Sequence, residues 1–366
     1  MHNDSAIDRI AENLAAVPDG QLWERLHPDM DGKTYREHSH EIACGKGKKT
    51  VWEALSGITL VFQEYLTPQV VCCHGVERNL LEINYCRGGR IGWNMQDGRS
   101  IYLGPGDFSL HTRKLCAGSV MTLPNGYYEG LAICIDLAQF DKALPELLAG
   151  TGITGRGLAD KFCASHAPVG NLDEAKDSDG KDSEERVFGE ELSAEGFSVF
   201  TGNEKTEALF SGFYDKSETL RKPYFVLKTL EMLLYLSEIK PPQDKKYEKY
   251  HSEQVETVRE IHEYLLQHME QRLTIDELSQ KYLMNPTTLK AVFKTVYGES
   301  LASHMKEHRM EKAAALLRET PYSVSEIAKA VGYGSQSRFS SAFKEVYQML
   351  PLEYRRLHGI FHPAHP

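Results

Sequence analysis

The sequence predicts an α+β protein. Its N-terminal half is a strand-rich barrel or jelly roll with added helices, and its C-terminal region is all-α, with two helix-turn-helix units joined by a long helix. Three observations carry that prediction. Short alternating apolar runs, punctuated by Gly88-Gly89, Asp97-Gly98 and Asn125-Gly126, fill Val51 to Leu137. The apolar period turns from two to three or four at Lys205. Between Thr274 and Tyr347 one motif occurs twice.

A chain of 366 residues exceeds one ordinary core. Composition divides it into a strand-rich region, 1–140; an acidic loop and helical segment, 141–240; a linker, 241–250; and a helical domain, 251–358. In the first region Leu81, Ile83 and Tyr85 alternate with Glu82 and Asn84, and Ile91 and Trp93 alternate with Gly92 and Asn94. The spacing predicts consecutive antiparallel hairpins. Residues 171–191 hold almost no apolar side chains and predict a loop. Leu227, Leu230, Leu233 and Leu234 predict a helix that either packs within the chain or pairs with its copy in a homodimer. Lys240-Pro241-Pro242 ends it.

The formal charge of −10 argues at first against nucleic acid. The excess is confined upstream, however. From His251 onward 14 basic residues balance 14 acidic ones, and Lys281 to Arg356 carries 12 basic against 7 acidic. Seven cysteines, Cys44, Cys72, Cys73, Cys86, Cys116, Cys134 and Cys163, include no C-x-x-C pair. That predicts reduced thiols in a cytoplasmic protein, with no cofactor and no metal site. No apolar run reaches the ~20 residues of a membrane span, and Met1 to Gly20 lacks the apolar core of a signal peptide.

The repeat is specific. Thr274-Ile275-Asp276-Glu277 and Ser323-Val324-Ser325-Glu326 each fit a capping box opening a short helix, Ile275 to Tyr282 and Val324 to Val331. A turn follows each. The chain restarts at Asn285-Pro286 in one copy and near Ser335 in the other. The restarted helices end on Phe293-Lys294-Thr295-Val296-Tyr297 and Phe343-Lys344-Glu345-Val346-Tyr347. The extra residue of the second copy falls in its turn. A helix from Leu301 to Arg318, about 27 Å at 1.5 Å per residue, joins the two copies. Adjacent major-groove faces lie about 34 Å apart, so a rod of that order suits two recognition helices on one side of a duplex.

From Val255 to Leu357 the chain resembles the C-terminal domain of the AraC/XylS family of transcription regulators. The resemblance is carried by Ser325-Glu326-Ile327-Ala328, Val331-Gly332-Tyr333, Ser335-Gln336-Ser337, Phe339, Phe343-Lys344 and Pro351-Leu352-Glu353-Tyr354-Arg355, with Arg309, Ala313 and Leu316-Leu317 in the joining helix. One departure is Ala291, where the family often has an arginine. The resemblance implies a bacterial, sequence-specific transcription regulator, an activator rather than an enzyme. Its expected partners are double-stranded promoter DNA and a small-molecule effector, with RNA polymerase and a second copy of the chain as further candidates. No membrane partner is expected.

With Leu289, Phe293, Phe339 and Phe343 facing inward, Thr287, Thr288, Lys290 and Ala291 face outward on the first recognition helix, and Gln336, Ser337, Arg338 and Ser341 on the second. Gln reads adenine, Arg or Lys guanine, and a Thr methyl thymine. Lys294, Arg309 and Lys344 suit phosphates.

The resemblance also implies a cupin-like effector barrel in residues 1–140. Tyr85, Trp93, Tyr102, Phe108 and Tyr127 then form either an aromatic effector pocket or barrel core. Two rival functions stand beside this one. A cupin-type metalloenzyme would use His74, His111 and Glu129, although no His-x-His pair occurs between Val51 and Leu137. An architectural DNA-binding protein would show little sequence discrimination.

Overall fold

The computed structural model describes residues 2–27, 36–71, 80–94, 98, 100–112, 119–163, 197–214, 216–241 and 250–360. The acidic segment 171–191, most of the linker 241–250, and Cys72, Cys73, His74 and Cys116 lie outside the described residues. The chain divides into two compact units. One comprises Ala6–Asp97 and Leu103–Glu248; the other comprises Lys249–Pro366 with Met1–Ser5 and Gly98–Tyr102.

The first unit begins within helix α1 (His2–Asn13), at Ala6, followed by β1 (Gln21–Leu26), β2 (Arg36–Glu41), β3 (Lys46–Leu55), β4 (Ile58–Leu66) and β5 (Gln69–Val71). Then come β6 (Leu80–Gly89), β7 (Ile91–Asn94), β8 (Ser100–Leu103), β9 (Phe108–Thr112), β10 (Val120–Thr122) and β11 (Tyr127–Asp136). Helices α2 (Leu137–Lys142) and α3 (Gly155–Cys163), strand β12 (Phe197–Phe200), and helices α4 (Glu204–Ser211) and α5 (Glu218–Glu238) complete it. Most of β8 falls in the segment grouped with the second unit.

The main sheet has eight strands in the order β12-β9-β6-β11-β4-β3-β1-β2. Its centre is β11, where Ile133 sits opposite Ile83 on one side and Leu60 on the other. These side chains join a core closed by Phe140, Phe162, Phe210, Phe213 and Phe225 from the helices and the segments beside them. Each such side chain, fully buried, contributes roughly 1.5–3 kcal/mol.

Two expectations are corrected here. The predicted strand-rich half forms, but among the described residues the sheet is open, with β12 and β2 as edges, and no closed barrel forms. The second concerns consecutive hairpins, which form only in part: β1 with β2 and β3 with β4 pair antiparallel, and β7 lies beside β8, but β6 does not pair with β7. β6 pairs with β11 and β9, whereas β7 leaves for a smaller sheet of order β5-β10-β7-β8. The switch is made at Gly89, whose φ is 72° and where a Cβ would stand 2.2 Å from the Tyr127 carbonyl oxygen. Only glycine permits both that backbone and that approach.

In α5 the leucine stripe divides. Leu230 and Leu233 are buried, while Leu227 is 61% exposed and Leu234 43% exposed. No helix among the described residues is long and apolar enough to cross a membrane.

The second unit is helical: α6 (Ser252–Gln267), α7 (Ile275–Lys281), α8 (Pro286–Tyr297), α9 (Leu301–Glu319), α10 (Val324–Ala330), α11 (Gln336–Tyr347) and α12 (Pro351–His358). It contains two cores rather than one. Val255, Val258, Ile261 and Leu265 of α6 pack on Leu278 of α7 and on Leu289, Phe293 and Val296 of α8. Met310, Ala313, Ala314 and Leu317 of α9 pack on Ile327 and Ala328 of α10 and on Phe339 and Phe343 of α11. Each three-helix set buries its own apolar stripe, and α9 contributes to both through Met305 and Met310.

Candidate nucleic-acid interface

Local chemistry sets the two hairpins. Thr274 Oγ1 accepts from the Glu277 amide at 3.3 Å, and Glu277 Oε2 accepts from the Thr274 amide at 2.7 Å. Ser323 and Glu326 repeat the pair at 3.2 and 2.7 Å. These bonds hold both glutamate carboxyls below the usual range. The turns repeat as well. The Met284 amide donates to the Ser279 carbonyl at 3.1 Å, and the Tyr333 amide to the Ala328 carbonyl at 2.8 Å. These bonds close each first helix over a left-handed residue. The recognition helices are then capped by Asn285 Oδ1, accepting from the Thr287 amide at 2.8 Å, and by Ser335 Oγ, accepting from the Arg338 amide at 3.3 Å.

Those anchors fix which faces turn outward. Leu289, Phe293, Phe339 and Phe343 are fully buried. Thr287 and Lys290 on α8, and Gln336, Ser337, Arg338 and Ser341 on α11, are exposed, while Thr288 and Ala291 are half-buried. Lys294 and Lys344 are exposed one turn further along. At matching positions the two outward faces carry hydroxyls, Thr287 and Ser337, and ammonium groups, Lys294 and Lys344, whereas the amide of Gln336 and the guanidinium of Arg338 occur on α11 only. At Ala291 only a methyl is presented.

Arg309 is placed differently from its sequence expectation. Its Nε donates to the Met269 carbonyl at 3.1 Å and its Nη2 to the Gln271 carbonyl at 2.9 Å. The guanidinium is half-buried and joins α9 to the segment before α7, so it is a structural clasp rather than a phosphate ligand. Arg355 does the same work for the second hairpin, donating to the Leu317 and Tyr322 carbonyls. Lys306 and Glu345, 2.6 Å apart, tie α9 to α11.

The first unit holds a cavity of about 380 Å³. Trp52, Phe62 and Tyr214 form part of its wall, with Phe62 edge-on to Tyr214. Glu129 lies in it with both carboxylate oxygens taken, one by Arg9 and one by Arg87 at 2.6 Å. Lys216 and Arg221 add cationic charge. Two buried polar atoms on this wall, Tyr214 Oη and Gln63 Oε1, have no hydrogen-bond partner among the described residues. Burial raises the Tyr214 phenol far above its ordinary range, so it stands as a donor.

None of the five aromatics expected in a pocket lines this cavity. Tyr85 stacks on Phe210, and Phe108 on Phe200. Trp93 is buried beside Phe197, and Tyr127 packs on Ile10, Leu14 and Val17. Tyr102 belongs to the core of the first hairpin, with its hydroxyl 2.9 Å from Arg259. All five are core residues, because their rings find apolar partners on neighbouring strands and helices.

A doubled, capped helix-turn-helix with polar outer faces defines a DNA-binding regulator domain, and the comparisons agree. A helix-turn-helix domain model matches residues 278–357. Regulatory protein SoxS of Salmonella typhimurium is 31% identical over 98 residues, which is 27% of this chain and 92% of that protein. A putative AraC-like transcription regulator of Streptomyces lividans is 38% identical over 93 residues, 25% of this chain and 29% of its own length. Among solved structures, the C-terminal domain of AraT, a response regulator from Geobacillus stearothermophilus, is 35% identical, covering 30% of this chain and 93% of that one, with a TM-score of 0.28. The chain belongs to the AraC family of transcription regulators. It spans about a third of the length of the first curated relatives it matches.

Proposed function

We propose that this protein is a sequence-specific transcription activator that reads promoter DNA with α8 and α11 and is controlled by a small molecule in its first unit. One observation carries the DNA-binding part. The same buried anchors recur in both hairpins, so two sets of base-reading side chains project at equivalent places on one rigid frame. Thr287, Thr288, Lys290, Ala291, Gln336, Ser337, Arg338 and Ser341 would face base edges; Lys294 and Lys344 would hold phosphates. The 19 residues of α9 span about 28 Å, comparable with one turn of B-DNA.

The cavity supports the effector role. Aromatic walls, two orphaned polar atoms and the cations Lys216 and Arg221 suit a small organic anion with a flat or apolar body. A metalloenzyme is not favoured, because Glu129 is held by two arginines and His111 stacks on Phe197 at 4.5 Å. Exposed Leu220, Tyr224, Leu227 and Leu234 along α5 offer a surface for a second copy, and an activator would act on RNA polymerase. Residues 241–250 would then serve as the linker between effector and DNA-binding units.

Selection of bound duplexes from a random pool, followed by mobility shifts across a salt series, tests this function. The expected result is a defined two-box sequence bound at least a thousandfold more tightly than bulk DNA. Uniform affinity at fixed salt would instead indicate an architectural protein.

A further inference from the structure

Three histidines outside the DNA-reading faces converge inside the first hairpin's core. His304 and His308 stand one turn apart on α9, and His262 faces them from α6. His304 Nε2 lies 3.0 Å from His262 Nε2 and 3.1 Å from His308 Nε2, and one ligand atom from each residue falls within 4.8 Å of the others. His304 is buried, whereas His262 and His308 are half-buried.

The outer nitrogens decide what the inner ones are. His304 Nδ1 sits 3.0 Å from Glu299 Oε1, and His308 Nδ1 sits 3.3 Å from Glu311 Oε2. The Glu299 carboxylate accepts, so His304 Nδ1 carries the proton and His304 Nε2 presents one bare lone pair. That lone pair has room for one N–H, yet two ring nitrogens, His262 Nε2 and His308 Nε2, stand against it at 3.0 and 3.1 Å. A cation among the three nitrogens removes the conflict.

We propose that His262, His304 and His308 bind a divalent transition-metal ion, zinc being the best fit, which cross-links α6 to the joining helix α9. Tetrahedral zinc at 2.0–2.1 Å from each nitrogen needs ligand atoms about 3.3 Å apart; the two spacings to His304 are 3.0 and 3.1 Å, and the His262–His308 pair, within 4.8 Å, would close on the ion. Three neutral imidazoles leave one position open, and the half-exposed rings give solvent access to it. Glu299 and Glu311 are the outer carboxylates that orient metal-bound histidines. The site stands independently of the effector and of DNA sequence recognition.

The test uses the full chain, stripped with chelator and titrated with zinc, then with cobalt as a spectroscopic stand-in. The expected result is one ion per chain with micromolar or tighter affinity. The thermal midpoint of the helical unit should rise, and the cobalt form should show the visible bands of a four-coordinate ion. His308→Gln, at a half-exposed position, should keep the helical circular dichroism and weaken zinc binding at least tenfold; Glu299→Gln should weaken it less. Absence of stoichiometric binding by the folded wild-type chain overturns the proposal. So does binding that His308→Gln and His262→Gln, both folded, leave unchanged.

Discussion

Leu283 and Gly332 occupy the same backbone position in the two turns, both left-handed, with φ of 51° and 80°. Leucine is tolerated because its side chain is 94% exposed. Glycine is required because a Cβ at 332 would stand 2.5 Å from the Met269 carbonyl oxygen. Gly332→Ala should therefore destabilise the helical unit by ~1–3 kcal/mol, whereas Leu283→Gly should leave it unchanged or raise its stability by up to ~1 kcal/mol. Urea titration followed by far-ultraviolet circular dichroism measures both. A neutral Gly332→Ala would mean that the second turn is not built this way.

Side chains on the recognition helices should separate into two classes. Gln336→Ala and Arg338→Ala are expected to cost ~1–3 kcal/mol at the selected site and to relax preference at a single base pair. Lys294→Ala and Lys344→Ala are expected to weaken all sequences alike and to reduce the salt slope by about 1. Mobility shifts on matched and mismatched duplexes distinguish the classes.

Arg309 makes the opposite prediction from those lysines. Its two bonds to carbonyl oxygens are internal, so Arg309→Ala should lower stability by ~1–3 kcal/mol and leave the salt slope unchanged. A shallower slope with unaltered stability would return Arg309 to the DNA surface.

The first unit should show an acid-sensitive contribution from His27. Its ring stacks on Trp52 at 3.6 Å, and burial together with Arg25 and Arg221 holds its pKa down to about 4 from an ordinary 6.5. Glu218 opposes this shift and Lys48 adds to it. A folded-state pKa below the unfolded one means that the unfolded chain takes up more protons between these values. This stabilisation is complete above pH 6.5 and is lost as pH falls towards 4. All three tryptophans, Trp23, Trp52 and Trp93, lie in the first unit, so tryptophan fluorescence reports its unfolding alone. The unfolding midpoint should fall less steeply between pH 7 and 4.5 in His27→Gln than in the wild type.

What could be seen in the sequence was local chemistry at fixed spacing. The capping boxes at Thr274 and Ser323, the restarts at Asn285 and Ser335, and the buried faces around Phe293 and Phe343 all depend on partners within four residues. Long-range pairings were not visible. Arg309 looked like a phosphate ligand because its carbonyl partners lie about forty residues away, in a stretch of no marked pattern. Glu129, a metal ligand only under the rival enzyme reading, pairs with Arg9, over a hundred residues upstream. The departure of β7 from β6 depended on one glycine whose close approach to Tyr127 only the fold reveals. The histidine cluster had half a signal, His304 and His308 at helical spacing, but its third member sits on another helix. The aromatic residues expected in a pocket were alternating strand residues, and alternation alone does not separate cavity from core.

The central claim is that α8 and α11 engage one duplex together, about one helical turn apart. The most direct measurement is the affinity of the full chain for its selected two-box duplex, compared with the same duplex carrying five extra base pairs between the boxes. Half a turn of added DNA puts the second box on the opposite side, so the account predicts a loss of at least tenfold, which ten inserted pairs do not recover because α9 spans only about one turn. Equal affinity for the original and the five-pair insertion would contradict it.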